Sequence, residues 1–429
     1  MSSDRRFEQE LPSRLDDLYV GSMPAYRDYV LEQTARTRQR PAWSFVGRWL
    51  PMVDIARQHV LVPRLAWRAI GLGFVLLALL VALAAALVVG ARPNLPKPFG
   101  LARPGLVAYA SGGHVHTIDP VTGRATPVAT GVDSASDPVW SRDGTMLAFK
   151  RGLAPDLLKN DQIMVAAADG SGPHAVTRAL PNIGMYSFSP DGRQIVFTSG
   201  DGTSSALWIA DVQQGLARQL DVHMDVAGPS WLPPDGAEIV FAGSVGDQPS
   251  GLYAVDPASG KVRTIVEPKG SVGAEVPDVS PDGSRVAYSA IDHAVQDRNS
   301  YQVHVVDIDG TNDHVLPIPS GATFQDRPTW SNDGTRLVIV RGFATRNQAV
   351  ALAIVPADGS GVGVETTHDI TGCCDNAMEW APDDSSILFL PEDQSGNATT
   401  QLLIDPSTGK ATPAAWGATS LPAWQRRAP

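Results

Sequence analysis

Cysteine is nearly missing from this sequence: its 429 residues hold two, the adjacent Cys373 and Cys374. Two thiols cannot build a disulfide framework or a thiolate-based structural zinc site, and a bridge between neighbours is strained. The pair therefore reads as small loop or core residues. A basic surface is missing from most of the chain as well. Residues 92–429 carry 23 Lys/Arg against 37 Asp/Glu, a balance of −14. That excludes nucleic acid as a partner, because phosphate binding needs a basic face. There is no Gly-x-Ser-x-Gly elbow, Walker loop, His-Glu-x-x-His or EF-hand loop, so no catalytic residue is assigned and no cofactor is implied. Long apolar runs are absent too, with one exception.

The exception is Ala69 to Ala91, 23 residues without a charge (AIGLGFVLLALLVALAAALVVGA), bracketed by Arg64, Arg68 and Arg92. As a helix rising 1.5 Å per residue it spans a hydrocarbon core of about 30 Å. It lies too far from the start, and runs too long, for a cleaved signal peptide. The reading is a transmembrane helix within residues 66–91. Arg36, Arg38, Arg40, Arg48, Arg57, Arg64 and Arg68 precede it, and by the positive-inside rule they place the N-terminus in the cytoplasm and the rest outside it. The tail, residues 1–65, reads as partly helical: Ser13 and Asp16 resemble a capping box before LDDLYV, and Pro24 can open a second helix. Its Trp43, Phe45 and Trp49 sit among arginines, which suits the membrane interface; the alternative is a docking segment for a cytoplasmic regulator, in the layout of an anti-sigma factor. Residues 92–105 are a Pro-rich linker that reads as extended.

Glycine (40) and proline (34) are plentiful, as in chains of short strands joined by tight turns. Beyond Pro104 the chain repeats itself: VWSRDGTMLAF, SFSPDGRQIVF, SWLPPDGAEIVF, DVSPDGSRVAY, TWSNDGTRLVIV and EWAPDDSSILFL. The turn acids Asp143, Asp191, Asp235, Asp282, Asp333 and Asp383 are spaced by 48, 44, 47, 51 and 50 residues, the period of a four-stranded propeller blade. Each unit runs strand A, Asp-Gly hairpin, strand B, loop, strand C, turn, strand D. Residues 106–129 supply B, C and D without an A, and SLPAW (420–424) supplies an A with nothing after it. Joining them closes a seventh blade and removes the open sheet edges. The expected fold is all-β, a seven-bladed β-propeller over residues 106–425.

These repeats resemble those of the TolB-like, WD-repeat-like propellers, over roughly residues 105–425. The family typically has six blades, which keeps six as the competing count, and a preceding α/β domain. Here the repeats number seven and an apolar helix precedes them, so no partner is carried over.

The repeat assigns most of the conspicuous side chains to structure. The turn pairs Asp143-Gly144, Asp191-Gly192, Asp235-Gly236, Asp282-Gly283 and Asp333-Gly334, with Asp383, are hairpin residues before they are calcium ligands. Trp140, Phe188, Trp231, Trp330, Trp380 and Trp424 recur at one position, as blade-packing residues do. His114 and His116 alternate on one strand and share a face, the weak candidates for a metal, with packing the simpler reading. Several B–C connections are long (Lys150 to Asp161, Ala290 to Ser300, Arg341 to Gln348, Pro391 to Thr400), and they share a rim with the D–A connections. Elongated loops on one rim mark a recognition surface. The expected function is thus a membrane-anchored, non-enzymatic binding, sensing or scaffolding module. Its partner would be a protein or an envelope polymer on the long-loop face. Two alternatives stand: a lactonase- or lyase-like enzyme with its site at the channel mouth, and a transmembrane signalling protein with an anti-sigma-like tail.

Overall fold

Strands such as QIVF (194–197) and RLVIV (336–340) are continuous apolar runs rather than alternating ones, and a strand needs that pattern when both of its faces are covered. The computed structural model describes Leu77 and residues 97–128, 134–153, 160–295, 300–343, 350–366, 377–391 and 399–428. In it the runs are central strands of seven antiparallel sheets of four strands each. We number the sheets as blades 1–7 in chain order of their A strands: Ala135–Trp140, Ile183–Phe188, Asp225–Trp231, Val272–Val279, Ala322–Trp330, Ala377–Trp380 and Ala423–Arg427. The fold is the seven-bladed propeller that the repeat implies.

Blade 7 is composite. Its A strand comes from the C-terminal end and its B, C and D strands, Arg103–Ser111, His114–Ile118 and Ala125–Pro127, from the other end of the described ring. Ala108 pairs with Ala423, Val107 with Trp424 and Arg103 with Arg427, with a bulge between Pro104 and Val107.

The core lies between blades, so neither sheet of a pair can bury its apolar face alone. Ile163 and Val165 of blade 1 pack on Phe188, Ile195 and Phe197 of blade 2. At the seam, Val107 and Ile118 join Leu388, Leu390 and Trp424. Outer D strands are short; His174–Ala175 and His314–Val315 are two residues each, and both are exposed. Such short edges offer little template for unwanted strand addition.

The apolar run 69–91, apart from Leu77, lies outside the described residues, as does the tail 1–65. Among the described residues no helix is long and apolar enough to cross a membrane. Cys373 and Cys374 also lie outside them.

Candidate functional site

The A strands line the central channel, and their last residues converge at its tight-turn end. There four of the repeated tryptophans each staple their blade to the one before. The indole N–H of Trp140 donates to Ala423 O at 3.1 Å, Trp231 to Ser187 O at 3.2 Å, Trp330 to Asp278 O at 3.0 Å and Trp380 to Thr329 O at 3.1 Å. Phe188 is buried at the same position in blade 2. Trp424 is buried too, but its indole nitrogen finds no acceptor among the described residues. Arg285 and Arg336 lie over the rings of Trp330 and Trp380, 4.8 and 5.0 Å from the centroids, covering two of these staples from outside.

The turn aspartates bond their own hairpins. Asp143 Oδ1 accepts from Ser141 Oγ at 2.6 Å and from Thr145 N at 3.0 Å; Asp282 and Asp333 repeat the pattern with Ser280, Ser284, Ser331 and Thr335. Asp191 accepts from Ser189 Oγ and Arg193 N, while Asp235 and Asp383 each keep the bond from a backbone N–H two residues on, at Ala237 and Ser385. Gly144, Gly192, Gly236, Gly283 and Gly334 follow with φ between 70° and 73°. At Gly283 the need is double: φ is +72°, and a Cβ would lie 2.2 Å from Pro233 O of the neighbouring blade. Blade 6 has Asp384 there instead, at φ 58°. Its buried carboxylate accepts from Asn332 N, Asn332 Nδ2 and Asp333 N at 2.8–2.9 Å, so the strained residue clamps blade 6 to blade 5.

Inside this ring of turns is a cavity of about 300 Å³ holding Arg142, Asp278, Glu379 and Arg426. Asp278 Oδ2 accepts from Trp330 N at 2.7 Å and Glu379 Oε1 from Trp424 N at 3.1 Å, so each carboxylate ties its blade to the next. Burial pushes the Asp278 carboxyl up to about 6 and the Glu379 carboxyl up to about 8, against the opposing pull of those N–H groups and of Arg142. Burial also pushes the Arg426 guanidinium down to about 10, and Arg142 down from the usual arginine range. Arg426 is buried, and the other three are half-buried where they line the cavity.

None of the four was singled out from sequence, although the repeat carried the signal. Where other units have Pro190, Pro234, Pro281 and Pro382 before the turn acid, blade 1 has Arg142, and Arg426 falls at the matching place in blade 7. Asp278 and Glu379 stand where other units have Val139, Ser187, Ser230, Thr329 and Ala423. Departures from a repeat at a channel-facing position are where its chemistry is written.

The end of the linker closes this mouth. The Arg142 guanidinium lies 4.7 Å from the centre of the Phe99 ring, and Phe99 and Gly100 complete the cavity wall. Arg426 donates to Gly100 O and, at 3.3 Å, to Lys97 O; its other arm reaches Asn332 Oδ1 at 2.8 Å. Ala102 N donates to Pro382 O at 2.8 Å. Residues 97–102, expected to be extended linker, are instead docked on the propeller. Buried arginine donors and an aromatic ring outweigh the freedom of a Pro-rich segment.

The opposite rim is built differently. Five A strands are bulged part-way along, and in four of them a residue of positive φ precedes a proline: Asp137, Gly228, Val276 and Arg327. Charges there pair locally, Lys150 with Asp137 at 3.0 Å and His293 with Glu275 at 3.3 Å. Asp326 accepts from Ser289 Oγ at 2.6 Å. The long connections themselves fall largely outside the described residues (154–159, 296–299, 344–349, 392–398).

His116 stacks on Tyr109, 5.3 Å between ring centres, while His114 is exposed at the start of the same strand. Among the described residues no group of three His, Cys, Asp or Glu could hold a metal ion.

Similarity to known proteins follows the repeat. Over 86 residues the chain is 31% identical to the Tol-Pal system protein TolB of Francisella tularensis, and over 126 residues 31% identical to the "Uncharacterized peptidase YuxL" of Bacillus subtilis. These matches take in 20% and 28% of this chain, but the chain spans only about a fifth of either relative's length (20% and 18%). An oligogalacturonate lyase from Vibrio parahaemolyticus superposes with a TM-score of 0.51 at 14% identity, covering 70% of this chain and 89% of that one, a likeness of fold alone. The model of the TolB beta propeller domain matches residues 109–323 and 159–427, and the chain belongs to that family.

Proposed function

We propose that this chain is a membrane-anchored binding or scaffolding module, held outside the cytoplasm, that receives a protein or an envelope polymer on the rim opposite its linker. The observation that carries this reading is the docked linker. Phe99, Gly100 and Ala102 cover the tight-turn mouth, and the charged groups beneath it are largely committed to holding blades and linker together. A mouth covered by the protein's own chain leaves the other rim as the face open to a partner. On that rim the bulged A strands supply paired polar groups. The apolar run 69–91 and its preceding arginines support the anchor and its orientation. The Tol-Pal relative supports a protein partner in a cell envelope.

The test is site-specific photocrosslinking of the full chain in native membranes. A benzophenone amino acid at exposed Thr203 or Gln248, on B–C turns, should give adducts. The same probe at exposed Arg193 or Ala237, on the linker side, should not. Adducts from the linker side in place of the rim would overturn the proposal.

A further inference from the structure

The chamber at the linker end holds an imbalance. Of its four charged side chains, three have hydrogen-bond partners: Asp278 and Glu379 accept backbone N–H groups, and Arg426 donates to Asn332 and to the linker. Among the described residues Arg142 has no hydrogen bond or ion pair; it feels the charges of Asp278 and Glu379, and its guanidinium lies against the face of Phe99. A guanidinium offers five donors in a planar fork, and desolvating it without acceptors is costly. Arg142 stands at a repeat position where proline serves in four other blades, so the ring does not require it there. It nevertheless faces about 300 Å³ of space walled by the ends of the A strands and floored by Phe99 and Gly100.

We propose that this chamber binds a small free carboxylate anion, paired by the Arg142 fork. The donor set favours that class: a carboxylate accepts two parallel N–H bonds from one guanidinium. Size sets the limit, since the volume sits at the lower end of ligand cavities and suits a single organic acid or sugar acid rather than a polymer. Burial keeps Glu379 protonated at neutral pH, which lowers the negative charge an incoming anion meets and leaves a carboxyl O–H to donate. This inference does not rest on the rim as a partner surface, and either can fail without the other.

The experiment is calorimetric titration of the purified full chain with sodium acetate and with sodium glucuronate, using sodium phosphate and methyl glucoside as comparisons. Trialanine with a free or an amidated C-terminus distinguishes a chain end from a free acid. Saturable binding of acetate or glucuronate is expected, weakened about tenfold or more in Arg142→Gln and less in Arg142→Lys. Arg193→Gln, an exposed arginine outside the chamber, should leave it unchanged. The wild-type isotherms decide the matter even if the Arg142 variants do not fold. Absence of carboxylate binding, a preference for phosphate or for free trialanine, or binding retained in folded Arg142→Gln would overturn the proposal.

Discussion

The two ends of the channel are made by the same seven strands but differ in their backbone and in how their charges pair. At the linker end the turn aspartates bond their own hairpins, while a second set of groups reaches across blade boundaries. Tryptophan indoles reach the preceding blade, Asp384 holds Asn332 and Asp333, and Arg426 holds the linker. At the other end the ion pairs stay within one blade, as in Lys150 with Asp137 and His293 with Glu275, the Ser289–Asp326 bond joins blade 4 to blade 5, and the A strands spend residues on bulges. The substitutions that follow should separate the two ends.

The largest effect should come from the seam. Deleting residues 420–429 removes the A strand of blade 7, the Trp424 packing and the Arg426 bonds together. Loss of the cooperative thermal transition is expected by circular dichroism, because the composite sheet then exposes an edge and a core face. Arg426→Ala should cost about 2 kcal/mol in chemical denaturation, since it removes a buried side chain and leaves the part-buried acceptors on Asn332 and Gly100 without their donor. A pair of glycine exchanges compares the ends directly. Gly283→Ala at the linker end should cost about 2–3 kcal/mol, with its Cβ forced against Pro233 O. Val276→Gly, on a bulge near the other rim at φ 48°, should change stability by less than about 1 kcal/mol, because relieved strain offsets lost chain stiffness. Trp380→Phe keeps the packing and loses one indole bond, for about 1 kcal/mol.

The acid groups of the chamber add a pH signature. Glu379 and Asp278 have folded values raised above those of the unfolded chain, so the folded state binds more protons between the two. Their contribution is fully present below the ordinary carboxyl range and is lost as pH rises through about 6 for Asp278 and about 8 for Glu379. The melting temperature should therefore fall across that window. Glu379→Gln should flatten the upper part of the fall, and an unchanged slope in that variant would contradict the assignment.

Much of this architecture was legible beforehand, for a physical reason. Each blade must bury both faces against copies of itself, so the apolar runs and turn acids recur and can be counted. The seam was legible from an unpaired strand at each end, although the pairing extends to Arg103 and Arg427. The chamber was not, because its charged groups come from four different blades and meet only once the ring has closed. Arg142 and Glu379 looked like noise in a repeat until topology placed them on one axis. The docking of Phe99 was hidden for a related reason: a Pro-rich segment predicts its own stiffness but not the two arginines, Arg142 and Arg426, that meet it.

The account turns on the linker covering the mouth of the channel, and amide hydrogen exchange of the full chain measures that directly. The Ala102 N–H, bonded to Pro382 O, should exchange as slowly as those of the adjoining strand Arg103–Ser111, and should speed up in Arg426→Ala. Exchange at the rate of an unstructured peptide in the unmodified protein would mean the mouth is open, and the distinction between the two ends would fall with it.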